Sequence, residues 1–122
     1  MDKAKRKELI EEFKQIKTYM GVIQITNRTN GKRYLAAFPN LKNKWETIRA
    51  QLDMGRHMNS GLQRDWKEFG PEAFHYEILE RKEAEEITDI KWEMKQILKP
   101  WMAKLQPYGE RGYHKEPEDE AK

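Results

Sequence analysis

Between Lys14 and Lys67 stand eleven lysines and arginines against three acids, Glu46, Asp53 and Asp65, a local surplus of eight positive charges. From Pro71 to Glu93 the balance reverses, with eight acids to three bases. The 122-residue chain carries only +3 overall, so its charge is segregated rather than large. A basic first half is what a phosphate-binding face needs, although lysines on a plain solvated surface give the same count. Asp89 and Glu93, four residues apart, would share one face of a helix. Other chemistries leave no trace. The chain has no cysteine, so thiolate catalysis and a disulfide framework are excluded. Its one serine, Ser60, is not set beside a histidine and an acid, and no Cys/His metal spacing or phosphate-cradling glycine loop occurs.

The elements that must position such residues can be read from periodicity. Residues 20–26 alternate along an extended, β-branched segment, residues 27–31 (NRTNG) are a turn cluster ending in Asn-Gly, and residues 32–36 form the returning strand. Leu41, Trp45, Ile48 and Leu52 then repeat at helical spacing, with Asn40 as the expected cap and Lys42, Asn43 and Arg49 on the outer face. Ser60 is the expected cap of a second helix bearing Leu62, Trp66 and Phe69, which Gly70-Pro71 ends. Residues 74–80 read as a third strand, with Phe74, Tyr76 and Ile78 on one face and His75, Glu77 and Leu79 on the other. Ile87, Ile90, Met94, Ile97, Trp101 and Leu105 mark a long helix, in which Pro100 should cause a kink or break near Leu98.

Ahead of the hairpin, Leu9, Ile10, Phe13 and Ile16 define an amphipathic helix within residues 1–17, suited to covering part of the sheet. Residues 114–122 form a charged tail expected to be disordered. The whole is an α+β domain at 18–113, with a small three-stranded antiparallel sheet flanked by helices. No apolar run reaches membrane-spanning length and no export signal opens the chain, so no membrane partner is expected and the cytoplasm is the expected compartment.

The segments Gly21-Val22-Ile23 and Tyr34-Leu35-Ala36, joined through ITN and NGK, resemble the two signature strands of the GIY-YIG endonucleases. That family includes the excinuclease C subunit, some homing endonucleases and some restriction enzymes. The likeness continues through residues 38–80 and covers roughly residues 18 to 109. It implies metal-assisted phosphodiester hydrolysis of DNA, with Mg or Mn polarising the phosphate and a general base making the nucleophile.

Carried over by position, the second-motif tyrosine is Tyr34, while the first-motif tyrosine is replaced by Ile23 and the closing glycine by Ala36. The arginine that would stabilise charge on the phosphate falls on Lys44, which keeps the charge and loses the bidentate fork. The metal-binding glutamate falls on Asp89 or Glu93, the loop histidine on His57, and the polar residue after the last helix on Gln106. Lys32, Arg33, Lys42, Arg49, Arg56 and Arg64 would contact nucleic acid. Losing an acid–base group costs about 10²–10⁴ in rate, and losing a preorganised charge donor about 10²–10³. The expectation is therefore a DNA-binding domain with impaired or lost hydrolysis, borrowing specificity from a protein partner. The alternative is a protein-interaction module that keeps only the fold.

Overall fold

The computed structural model describes residues 18–84 and 87–115. The expected N-terminal helix and most of the expected tail lie outside the described residues. Three strands, β1 (Tyr19–Asn27), β2 (Arg33–Phe38) and β3 (Phe74–Glu83), form one antiparallel sheet in the order β2-β1-β3. Three helices pack on it: α1 (Lys44–Asp53), α2 (Ser60–Phe69) and α3 (Ile90–Leu105).

The central strand divides the core by parity, because successive residues of a strand point to opposite faces. Ile23 and Ile25 join Tyr34, Leu41, Ile48, Leu52, Leu62, Trp66 and Phe74 under α1 and α2. Met20 and Val22 instead meet Ile97, Leu98 and Trp101 of α3. The Asn-Gly turn forms as the sequence implies. Asn27 N–H donates to the Lys32 carbonyl (2.9 Å), Gly31 N–H donates to the Asn27 carbonyl (2.7 Å), and Gly31 takes the positive φ that glycine tolerates.

The third strand departs from simple alternation. Ile23 pairs with Ile78, but Val22 pairs with Glu80, so Leu79 is an extra residue in the ladder. Beyond this bulge the faces exchange. Leu79 packs with the α3 cluster, and Glu80 accepts a hydrogen bond from the Trp101 indole (2.8 Å). Ile78, expected on the same face as Phe74 and Tyr76, is 46% exposed. The strand also runs three residues past the expected end, because its pairing continues to Glu83 opposite Tyr19. The bulge brings the Glu80 carbonyl so close to Gly21 that any Cβ there would collide with it.

Two helix starts and one expected break differ from expectation. The first helix begins at Lys44 rather than 41, since Leu41 N–H is spent on the Tyr19 carbonyl (2.8 Å) and Asn40 closes a turn on Lys42 N–H (2.9 Å). Asn43, in the left-handed region (φ 54), is the residue before the helix, and no side chain caps it. The second helix is capped by Asn59, whose Oδ1 accepts from Leu62 N–H (3.0 Å), so Ser60 is its first residue. The third helix continues through Pro100 without a break. Pro100 is exposed, and it removes only one backbone donor from the outer side of the helix.

Candidate functional site

Tyr34 lies near the turn end of β2, opposite Ile25. Its ring is clamped by two imidazoles: His114 stacks on it (centroids 5.1 Å apart, planes 7° apart) and His57 meets it edge-on (5.3 Å, 81°). The residue is 7% exposed. Its hydroxyl has no hydrogen-bond partner among the described residues. Burial pushes the phenol above its ordinary pKa of 10.0, keeping it protonated at neutral pH. It can donate a hydrogen bond more readily than it can take a proton.

Both histidines are held by backbone groups. Leu35 N–H donates to His114 Nε2 (2.9 Å), and Asn59 N–H donates to His57 Nδ1 (3.0 Å). An accepting ring nitrogen must carry its lone pair, so the proton of each neutral ring sits on the other nitrogen. Burial lowers the pKa of both rings from 6.5. Two neutral N–H donors therefore flank a neutral phenol.

His114 arrives from a C-terminal segment that runs along the outer edge of β2. Tyr113 N–H donates to the Arg33 carbonyl (3.0 Å), and Gly112 forms a parallel bridge to Arg33. The Tyr113 hydroxyl donates to buried Asp65 (2.8 Å) and accepts from the Asn27 amide (3.1 Å). Burial raises the Tyr113 pKa, and the bond to Asp65 adds to the rise. Asn59 Nδ2 donates to the Tyr113 carbonyl (2.9 Å), tying the same segment to the start of α2. Sequence reasoning placed His114 in the tail and assigned the polar group after the last helix to Gln106. Gln106 instead ends α3 in a left-handed conformation, and His114 is the residue that reaches Tyr34. Periodicity carries no signal for it, because the segment's course is set by Asp65, Asn27 and Arg33, which are remote in sequence.

Beside His114 opens a cavity of about 750 Å³, lined by Lys32, Arg64 and Lys115 together with Asn59, Ser60 and Tyr113, with no acid on its wall. Lys32 and Arg64 were among the expected contacts. Lys115 was not. Arg33 projects to the other face of the sheet, into a smaller cavity of about 250 Å³ with Lys104, Arg111 and Glu110. Lys42 sits elsewhere, beside Leu41, which is bonded to the start of β1, so most of a nine-residue strand separates it from the turn. Arg49 lies over the Trp45 ring (5.8 Å), and Arg56 is exposed next to His57.

The other expected catalytic groups are dispersed. Lys44 Nζ rests over the Phe38 ring (4.4 Å), and Phe38 lies four residues from Tyr34, about 13 Å along the strand. Asp89 caps α3, its Oδ1 accepting from Trp92 N–H (3.1 Å). Glu93 accepts from Lys82 Nζ (2.9 Å), and Lys82 pairs with Met20 on the α3 face of the sheet. Both acids thus belong to the helix on the side away from Tyr34. Among the described residues no three His, Cys, Asp or Glu side chains gather where they could hold a metal ion.

A β-hairpin and a third antiparallel strand, flanked by three helices, make this a GIY-YIG-like fold. Two solved structures place it. The catalytic domain of the homing endonuclease I-TevI matches with TM-score 0.63 and 26% identity over 77% of this chain and 95% of that one. A mutant of the catalytic domain of the same intron endonuclease matches with TM-score 0.65 and 26% identity over 79% and 92%. No protein-family model and no curated protein matches the sequence. Among the described residues no helix is long and apolar enough to cross a membrane.

Proposed function

We propose that the domain binds DNA through its phosphates at the cavity beside Tyr34, and that phosphodiester hydrolysis there is impaired or lost. The observation that carries this reading is the Tyr34 phenol stacked on an imidazole, His114, that itself lines a cation-walled, acid-free cavity. Lys32 and Lys115 supply point charges and Arg64 a guanidinium fork for phosphate oxygens. Tyr34 and His114 add neutral donors whose direction the fold has already fixed.

Three features oppose efficient chemistry. The position of the first-motif tyrosine is Ile23, fully buried in the core. Burial disfavours the phenolate that Tyr34 would need to act as a base. The acids Asp89 and Glu93 are engaged as a helix cap and an ion pair, so no step is assigned to a metal. Plasmid incubation with Mg²⁺ or Mn²⁺ tests this directly, comparing the parent with Tyr34→Phe. The expected result is retarded plasmid mobility with no nicking above the Tyr34→Phe level. Nicking by the parent that the variant loses would restore an active nuclease, and an unretarded plasmid would remove DNA binding.

A further inference from the structure

Lys32 and Arg33 are consecutive residues at the end of the hairpin, and they line different cavities on opposite faces of the sheet. Each has drawn two further cations to its side. On the Tyr34 side these are Arg64 from α2 and Lys115 from the C-terminal segment. On the α3 side they are Lys104 from the end of α3 and Arg111 from the same C-terminal segment. Of these six cations only Arg64 has a carboxylate within 4 Å among the described residues, Asp65 at 3.9 Å, and Asp65 already accepts from Tyr113. Lys32 and Lys104 rest on aromatic rings, Tyr113 at 5.8 Å and Trp101 at 5.4 Å, rather than on acids. Gathering three cations on each side of one turn, with Glu110 on the α3-side wall as the one acid lining either cavity, is unfavourable unless further anions answer them. Residues 28–31, between the two groups, are exposed.

The geometry points to a two-sided clamp: the hairpin end enters a groove of duplex nucleic acid, and the two cation groups meet the phosphates of its two strands. This rests on the DNA-binding reading and goes beyond it by naming a duplex and a mode of entry. A major groove about 12 Å wide admits a two-stranded β-ribbon, and the phosphates bordering it belong to different strands. A single row of phosphates would engage one group and leave the other unused. The arrangement contacts backbone rather than base edges, so it positions the protein without selecting sequence.

Fluorescence anisotropy with a labelled mixed-sequence duplex, and with one of its strands alone, tests the clamp across a range of KCl concentrations. Two triple variants remove one side each and keep the side-chain stems: Lys32→Gln with Arg64→Gln and Lys115→Gln, and Arg33→Gln with Lys104→Gln and Arg111→Gln. On the duplex each should flatten the slope of log K against log salt by about 2–3, near 0.9 per lost contact. On the single strand only one of the two should matter. A duplex slope unchanged by either variant, or equal losses on duplex and single strand for both, would overturn the clamp while leaving DNA binding standing. A parent that binds neither probe would overturn DNA binding and the clamp together. Phosphate-ethylation interference on the unmodified protein gives a reading that does not depend on the variants folding. Interference on both strands across one groove supports the clamp; interference on one strand only overturns it.

Discussion

Tyr34 owes its chemistry to its neighbours more than to its place in a motif. Buried between His114 and His57, the phenol stays protonated, and burial lowers the pKa of both imidazoles, whose ring nitrogens accept from backbone N–H groups. This has a consequence for stability. A histidine whose folded pKa lies below the unfolded value of 6.5 binds fewer protons folded than unfolded. Its favourable contribution is complete above 6.5 and is lost as the pH falls below that value and through the depressed folded pKa. His114→Gln keeps an acceptor for Leu35 N–H but does not titrate. Thermal melts from about pH 8 down to about pH 5 should fall less steeply in the variant than in the parent. Parallel curves would show that His114 is not held neutral. Of these three residues the sequence identified Tyr34 and raised His57 as a loop histidine. Nothing in its spacing marked His114, whose contacts span most of the chain.

At the scale of elements, the strands and helices were legible where one local signal decided them. Asn30-Gly31 fixed the hairpin, the apolar stripes of α1 to α3 fixed the helices, and Gly70-Pro71 fixed a stop. Features depending on pairing between distant segments were not legible. The bulge at Leu79 follows from the register of β3 against β1, and the late start of α1 follows from the bond between Leu41 and Tyr19. Neither has a local signature. Gly21 is where that register meets the motif, because the Glu80 carbonyl fills the space of its missing side chain. Gly21→Ala should destabilise the domain by about 3 kcal/mol or more in urea unfolding, since backbone rather than a flexible side chain must give way. A loss under about 1 kcal/mol would mean that the bulge yields easily. The C-terminal segment depends on Tyr113 in the same way. Tyr113→Phe leaves the Asp65 carboxylate and the Asn27 amide without their shared partner and should cost about 2–3 kcal/mol. It should also weaken DNA binding, by loosening the segment that carries Arg111 and Lys115.

Across the whole molecule, charge is organised by the fold rather than by sequence position. The basic stretch between Lys14 and Lys67 holds Lys32, Arg33 and Arg64, but the cations facing them are Lys104, Arg111 and Lys115 from the other half of the chain. A count along the sequence finds three of these six cations. It cannot find the other half, because α3 and the segment beyond it return to the hairpin only in three dimensions. The acids expected to hold a metal, Asp89 and Glu93, are placed by the fold in the same way. Their i, i+4 spacing is real, but the helix that bears them packs on the sheet face away from Tyr34. What remains is a nuclease-type fold whose cations converge more closely than its catalytic groups. The most direct test is the salt dependence of duplex binding by the unmodified protein. With at least three phosphates contacted, log K should fall against log salt with a slope of about −3 or steeper, whereas a flat response would contradict binding through phosphates and the function proposed from it.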